Sequence, residues 1–361
     1  MARKDTRRRT AAVAGAGVAL LVAKQVFDRL RQADVRGQVA LVTGGSRGLG
    51  FLLARELVRQ GCRVAICARD VDELERARLR LNRPDTPVIA LPCDIGDRYQ
   101  VEELIERVED RLGPIEILVN NAGVIQVGPL PALTLQDFEQ ALAAMYWGVV
   151  YPTLAVLPGM RERRRGRIVN ITSIGGLVSV PHLLPYSSAK FAAVGFSEGL
   201  RAELAGSGIT VTTIAPGLMR TGSHVNALFT GRPGREFTWF SLGASLPGVS
   251  MSAERAAKQI VAAMRRGEAE RVLSVPATLF ARFHGAFPGA TANLLGLTNR
   301  LILPTADGGT ALERGQEAAQ AQPSNLRETL TALGRRAAER NNEYPGPAIP
   351  VPQRNGSSTP L

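Results

Sequence analysis

The chain has 361 residues, enough for one large α/β domain with extensions. Hydrophobic residues make up 45% of it, which allows a sizeable core. The formal net charge is +12, but residues 1–36 carry a net +6 and residues 161–167 a net +4, so the body is nearly neutral and a broad nucleic-acid footprint is excluded.

Residues 1–9 are basic, and residues 11–23 form an unbroken Ala/Gly-rich apolar run. The run is short of the ~20 residues that a spanning helix needs. A cleaved signal peptide fits the charged start, although no small-residue cleavage site follows Ala23. A membrane-associated helix with basic flanks fits equally well, and the bland alternative is a docked N-terminal helix. The membrane reading leads, with the basic flank and the body of the chain on the cytoplasmic side.

From Gly37 apolar strands alternate with amphipathic helices. Strands are expected at 38–43, 63–68, 87–93, 115–120, 167–171, 209–214 and 271–275. Helices are expected at 49–60, 70–81, 101–112, 134–160, 186–205 and 252–266. That alternation predicts an α/β fold, a doubly wound parallel sheet covered on both faces. Residues 217–250 read as irregular and aromatic, and 277–303 as an apolar helical extension. Residues 304–361 read as a polar, largely disordered tail in which 325–340 has the pattern of a charged helix. The expected organisation is therefore an N-terminal segment (1–36), a nucleotide-binding domain (37–275), the apolar extension (276–303) and the tail.

The turn Thr43-Gly44-Gly45-Ser46-Arg47-Gly48-Leu49-Gly50 joins the first strand to the first helix. Gly44, Gly48 and Gly50 let the backbone turn sharply and approach a pyrophosphate, which the helix N-terminus stabilises. The second strand ends in Arg69 rather than a carboxylate, and Arg47 sits in the turn. Both suit a ribose 2′-phosphate and predict NADP(H) over NAD(H). Asp70 reads as a helix N-cap. Asp94 follows the third strand, placed to accept from the adenine amine. Asn121, Ala122 and Gly123, in the turn after the fourth strand, line the adenosine side.

Tyr186 and Lys190 are four apart on one helical face, so the ammonium lies near the phenol. Nearby positive charge favours the phenolate and predicts a tyrosine pKa below its usual value of roughly 10. Such a tyrosine exchanges a proton with an alcohol. Ser173 ends the fifth strand, 13 residues earlier. Cys62, Cys67 and Cys93 form no Cys-x-x-Cys pair and read as buried hydrophobes, and the scattered histidines give no metal site. His182, four residues before Tyr186, reads as a loop residue or a substrate contact.

These motifs in this order, with Pro216-Gly217 and Thr221, resemble the short-chain dehydrogenase/reductase family across roughly residues 37–275. The resemblance implies Tyr186 as general acid/base, Lys190 on the nicotinamide ribose, and Ser173 on the substrate oxygen. It also implies Pro216, Gly217 and Thr221 beside the nicotinamide, and a dimer or tetramer. Many members carry a catalytic asparagine where this chain has Met145, whose thioether cannot order a relay water. The implied function is NADP(H)-dependent interconversion of a carbonyl and a secondary alcohol on a hydrophobic substrate, lipid-, steroid- or retinoid-like. The alternatives are a soluble 3-oxoacyl-carrier ketoreductase and a non-catalytic NADP(H) sensor or scaffold.

Overall fold

A computed structural model describes residues 32–84, 86–304, 309–321 and 324–344. The apolar run at 11–23 and the proline-rich end beyond Tyr344 lie outside the described residues.

The core is a seven-stranded parallel sheet. Its strands are β1 (Val39–Thr43), β2 (Arg63–Ala68), β3 (Val88–Pro92), β4 (Ile115–Asn120), β5 (Gly166–Ile171), β6 (Ile209–Pro216) and β7 (Glu270–Leu273). They lie in the order β7-β6-β5-β4-β1-β2-β3. The order reverses between β1 and β4, and the crevice at such a switch point is where open α/β sheets take ligands. Every residue of β1 and β4 is buried, because helices cover both faces and no alternation is needed.

On one face α1 (Gly48–Arg59), α2 (Val71–Leu81) and α8 (Ala253–Arg266) bury Leu52, Leu57, Leu74, Ile260 and Met264 against Val42, Ile66 and Val119. On the other, α3 (Arg98–Leu112) and α5 (Gly148–Glu162) pack Val101, Leu104, Val156 and Met160 on Leu41, Leu118 and Ile168. Leu57 is fully buried, so truncating it to Ala costs about 2–5 kcal/mol. Asp70 Oδ1 accepts from Glu73 N at 2.9 Å and starts α2 as an N-cap, while Gly113, at φ 91, ends α3.

Three segments depart from the sequence expectation. The single helix expected at 134–160 is α4 (Leu135–Leu142), a π-helical turn (Ala143–Trp147) and α5. After that turn Gly148 seats against Ile95, where a Cβ would collide. The stretch 217–250, expected irregular, holds the strand Leu228–Gly231 and the helix α7 (Pro233–Ser245), which Pro233 starts. Its Phe229, Phe237 and Phe240 pack with Val127 and Ala318, residues remote in sequence, so no local periodicity announces the cluster.

The tail expected to be disordered has ordered parts. The strand Gly309–Arg314 pairs antiparallel with Leu228–Gly231. Helices α11 (Gly315–Ala321), α12 (Asn325–Leu330) and α13 (Ala332–Arg340) pack over α7. Ala318, Ala337 and Ala338 are buried there, so tertiary burial supplies what a polar composition does not. Helix α6 (Leu184–Glu203) packs on β5 and β6. The pair α9 (Val275–Ala286) and α10 (Pro288–Leu301) forms a helical hairpin after β7.

Candidate active site

A cavity of about 1370 Å³ opens over the carboxyl ends of the strands. Gly44, Ser46, Arg47, Gly48, Leu49, Gly50, Arg69, Asp94, Asn121, Ala122, Gly123, Ser173, Tyr186, Lys190, Pro216, Gly217 and Thr221 all line it. Residues 173 apart in sequence, from Gly44 to Gly217, thus share one wall because parallel strands end together.

The glycine turn is closely packed. A Cβ on Gly44 would meet Ala122 Cα at 2.7 Å, and one on Gly50 would collide with the Gly44 carbonyl. Thr43 Oγ1 accepts from the backbone amides of Asn121 and Ala122 at 3.0 and 3.1 Å. Asn121 Nδ2 returns bonds to the carbonyls of Thr43 and Gly44 at 3.1 and 3.2 Å. Asn121 therefore ties the two turns together, and its amide is directed at the protein backbone. The clamp role of Thr43 has no signal in the sequence beyond its place before the glycines. These tight backbone surfaces at the start of α1 fit a dinucleotide, whose pyrophosphate needs close approach to main-chain amides.

The two arginines differ. Arg69 is well exposed, with its Nη1 at 4.0 Å from Asp94 Oδ2. Arg47 Nη1 is bound by Glu73 Oε2 at 2.7 Å, and Glu343 lies 3.6 Å from its Nε. Burial works against the Arg47 charge, but Glu73 and Glu343 outweigh it and hold the pKa above the ordinary value. Glu73 also takes the Ser46 hydroxyl, so one buried carboxylate, missed in the sequence reading, engages both polar side chains of the turn. This qualifies the expectation that Arg47 stands ready for a 2′-phosphate, because its charge is already matched. Asp94 Oδ1 accepts from Gly96 N at 2.9 Å and shapes its own loop.

At the other end, Ser173 follows β5 in extended backbone, and its Oγ accepts from Gly175 N at 3.0 Å. Tyr186 and the Ser173 hydroxyl flank the same glycine: a Cβ on Gly175 would meet Tyr186 Cε1 at 3.1 Å and Ser173 Oγ at 3.4 Å. Lys190, one turn further along α6, is 4% exposed and donates from Nζ to the Ile171 carbonyl at 2.8 Å. Burial raises the Tyr186 pKa above its ordinary value, the nearby Ser173 hydroxyl acting the other way, and burial lowers Lys190 to about 8. The expected depression of the tyrosine pKa is therefore not found in this state. The ammonium is aimed at a carbonyl, and desolvation dominates both groups.

Met145 is fully buried with Ala141 and Ala189, against Tyr186. Its Sδ would lie 3.5 Å from a Cβ placed on Gly123, so the thioether packs against the backbone of that cavity-lining turn. Below it a polar chain crosses the sheet. Asn120 Nδ2 bonds Asn170 Oδ1 at 2.9 Å, Asn170 Nδ2 bonds Ser197 Oγ at 2.9 Å, and Ser197 meets Thr213 at 2.7 Å. All four residues are buried; these bonds tie the strand ends together, while Asn120 Oδ1 is left without a partner.

The aromatic side of the cavity is built by α7. His182, at φ 63, places Nδ1 2.9 Å from both Glu236 oxygens. Glu236 Oε2 also accepts from Trp239 Nε1 at 2.7 Å. Both His182 and Glu236 are buried, so this bond pins α7 to the segment leading into Tyr186. Val180, Leu183, Trp239 and Phe240 give the cavity an apolar wall beside the Ser173–Tyr186 pair. Among the described residues no cluster of metal-binding side chains occurs.

This sheet order, with a glycine turn at one end of the cleft and a Ser-Tyr-Lys set at the other, defines a nicotinamide-dependent oxidoreductase fold. Residues 38–228 match the family model described as short chain dehydrogenase. The chain is 34% identical over 263 residues to the dehydrogenase/reductase SDR family protein 7-like of Anopheles gambiae, covering 72% of this chain and 81% of that protein. It is 39% identical over 186 residues to a putative ketoacyl reductase of Streptomyces coelicolor, covering 51% of this chain and 71% of that protein. A solved short-chain dehydrogenase from Streptomyces avermitilis superposes with a TM-score of 0.63 at 30% identity, covering 73% of this chain and 97% of that one. The chain belongs to the short-chain dehydrogenase/reductase family, and it is an oxidoreductase of the kind that binds a nicotinamide cofactor.

Proposed function

We propose that the protein is an NADP(H)-dependent oxidoreductase that interconverts a ketone and a secondary alcohol on a hydrophobic substrate. The observation that carries this reading is the convergence of Ser173 and Tyr186 around Gly175, with Lys190 Nζ 6.0 Å from the Tyr186 ring centre, beside a wall of apolar and aromatic side chains. When bound, the cofactor supplies or accepts the hydride at the reacting carbon. Ser173 and Tyr186 hold the substrate oxygen, and the Tyr186 hydroxyl gives its proton to that oxygen in reduction and recovers it in oxidation. Lys190 sits where its charge steadies the phenolate left behind and where it reaches the ribose. Arg69, exposed at the adenosine end, is the cation available to a 2′-phosphate.

Attachment to the cytoplasmic face of a membrane belongs to the same reading. The α9–α10 hairpin exposes Leu279, Phe283, Phe287, Leu294, Leu297 and Leu301. No acidic residue lies between Glu270 and Asp307, while Arg282 and Arg300 are basic. That combination suits an anionic lipid surface. Pro276, Ala277 and Phe280 of α9 line the cavity, so a substrate dissolved in lipid would enter beside the hairpin.

The test is NADPH oxidation over ketones of graded chain length, with Tyr186→Phe as control. Turnover that rises with chain length and vanishes in the control is expected. Equal turnover in the control would remove the catalytic reading. The similarity to a putative ketoacyl reductase favours a second reading, a carrier-linked 3-oxoacyl substrate, which the same screen separates by including acyl thioesters.

A further inference from the structure

The segment Asn341-Asn342-Glu343, which follows α13, lies on the glycine turn. Gly48 N donates to the Asn341 carbonyl at 2.8 Å. Asn342 Nδ2 donates to the carbonyls of Ser46 and Glu73 at 2.8 and 3.1 Å. Asn341 Nδ2 donates to the Thr221 carbonyl at 3.0 Å, across the cleft. Asn226 Nδ2 holds Glu343 by its backbone carbonyl at 2.6 Å and its carboxylate at 2.8 Å. Glu343 is 2% exposed, stands 3.6 Å from Arg47, and leaves no room for a Cβ on Gly48. The approach is secured from outside as well: Arg80 donates to the Arg340 carbonyl at 2.6 Å, and Ala338 packs on Gly222.

We propose that residues 341–343 are an intramolecular competitor of the dinucleotide, a strap seated on the anion-binding start of α1 that must leave before the pyrophosphate can bind. This rests on the reading of residues 44–50 as the pyrophosphate seat. The start of α1 offers main-chain donors and a positive dipole end to an anion. In this state the strap takes the Gly48 amide and sets a carboxylate beside it, with Arg47 shared between Glu73 and Glu343. A bound pyrophosphate would bring two negative charges against that carboxylate in a poorly hydrated space, a strongly unfavourable pairing. Burial already pushes the Glu343 carboxyl up to about 7, with Arg47 and Asn226 pulling the other way, so the strap is held by its hydrogen bonds against the cost of a buried acid. Because the strap is tethered, even weak contacts compete at high effective concentration. The strap would thus set how much cofactor is needed to open the site.

The experiment uses the full chain with NADPH and NADH. Asn342→Gly removes both side-chain bonds while suiting the residue's positive φ of 60°, and Glu343→Ala removes the carboxylate. Dinucleotide affinity is measured by fluorescence titration, and hydrogen exchange is followed at 44–50 and at 341–343 with and without cofactor. Both variants should bind the dinucleotide at least fivefold more tightly than the parent, and cofactor should protect 44–50 while accelerating exchange at 341–343. Unchanged or weakened affinity in both variants, or protection of 341–343 by cofactor, would overturn the strap and make the segment a clasp. Binding that leaves 44–50 unprotected, or no binding to any form, would overturn the seat assignment and the strap together. The two failures are therefore distinguishable.

Discussion

Lys190 Nζ stands 6.0 Å from the centre of the Tyr186 ring and donates to the Ile171 carbonyl. The pair is on one helical face, yet the ammonium is bound to backbone, and each group carries the cost of its own burial. The Lys190 ammonium is thus a neighbour of the tyrosine ring whose hydrogen bond goes to backbone.

That geometry has a stability consequence. Lys190 is lowered to about 8 from 10.5. Between those values the unfolded chain binds more protons than the folded one, so this group makes stability rise with pH across that window, and its cost is full below pH 8. Lys190→Met should therefore raise stability at pH 7 by about 1–2 kcal/mol, after allowing for the lost carbonyl bond. The advantage should shrink as pH climbs towards 10. Urea melts of both proteins at pH 7 and 9.5 check this. The same variant should lose at least a hundredfold in turnover, and the parent's reduction rate should fall above about pH 8 as the lysine loses its charge.

Cofactor choice follows from Glu73. In the parent, NADPH should bind more tightly than NADH through Arg69. Glu73→Gln removes the carboxylate that binds Ser46 and Arg47 and should widen the NADPH preference several-fold. Arg69→Ala should narrow it. Titration of both cofactors against each variant reads the outcome, and an unchanged ratio in Arg69→Ala would refute the role given to that arginine.

Met145→Asn should cost roughly 1–3 kcal/mol, because an amide would enter a site enclosed by Ala141, Ala189 and Tyr186. Turnover should stay within a few-fold of the parent. Thermal melts and steady-state kinetics together test this, and a large loss of turnover in a well-folded protein would mean that the methionine itself positions the tyrosine.

Glu236→Gln weakens the link between His182 and α7 while keeping an acceptor for Trp239. It should raise KM for the bulkiest active ketone about tenfold and leave cofactor affinity unchanged, a loss of roughly 1.4 kcal/mol in substrate binding. A fall in kcat with constant KM would place the pair in the chemistry instead.

Leu279→Glu with Phe283→Glu should release the chain from vesicles containing anionic lipid without changing turnover on a short soluble ketone. Co-sedimentation with neutral and anionic vesicles separates this surface from residues 1–36, whose removal is the companion measurement. If the double variant sediments as well as the parent, the hairpin is not the attachment surface.

Much of this molecule is readable from local pattern. Short apolar runs between amphipathic helices specify the parallel sheet, and the glycine spacing places a tight turn between β1 and α1. The spacing of Tyr186 and Lys190 puts both on one face of α6. Each of these signals lies within a few residues, where backbone geometry and side-chain period act directly. The tertiary structure alone decided which partners the charged groups take. Arg47 is matched by Glu73 and Glu343, and Lys190 by the Ile171 carbonyl. His182 is matched by Glu236, and the described residues of the polar stretches 309–321 and 324–344 are ordered by burial against α7 and the glycine turn. Those outcomes depend on contacts between residues up to 296 positions apart, and on desolvation that exists only once the chain has closed around them.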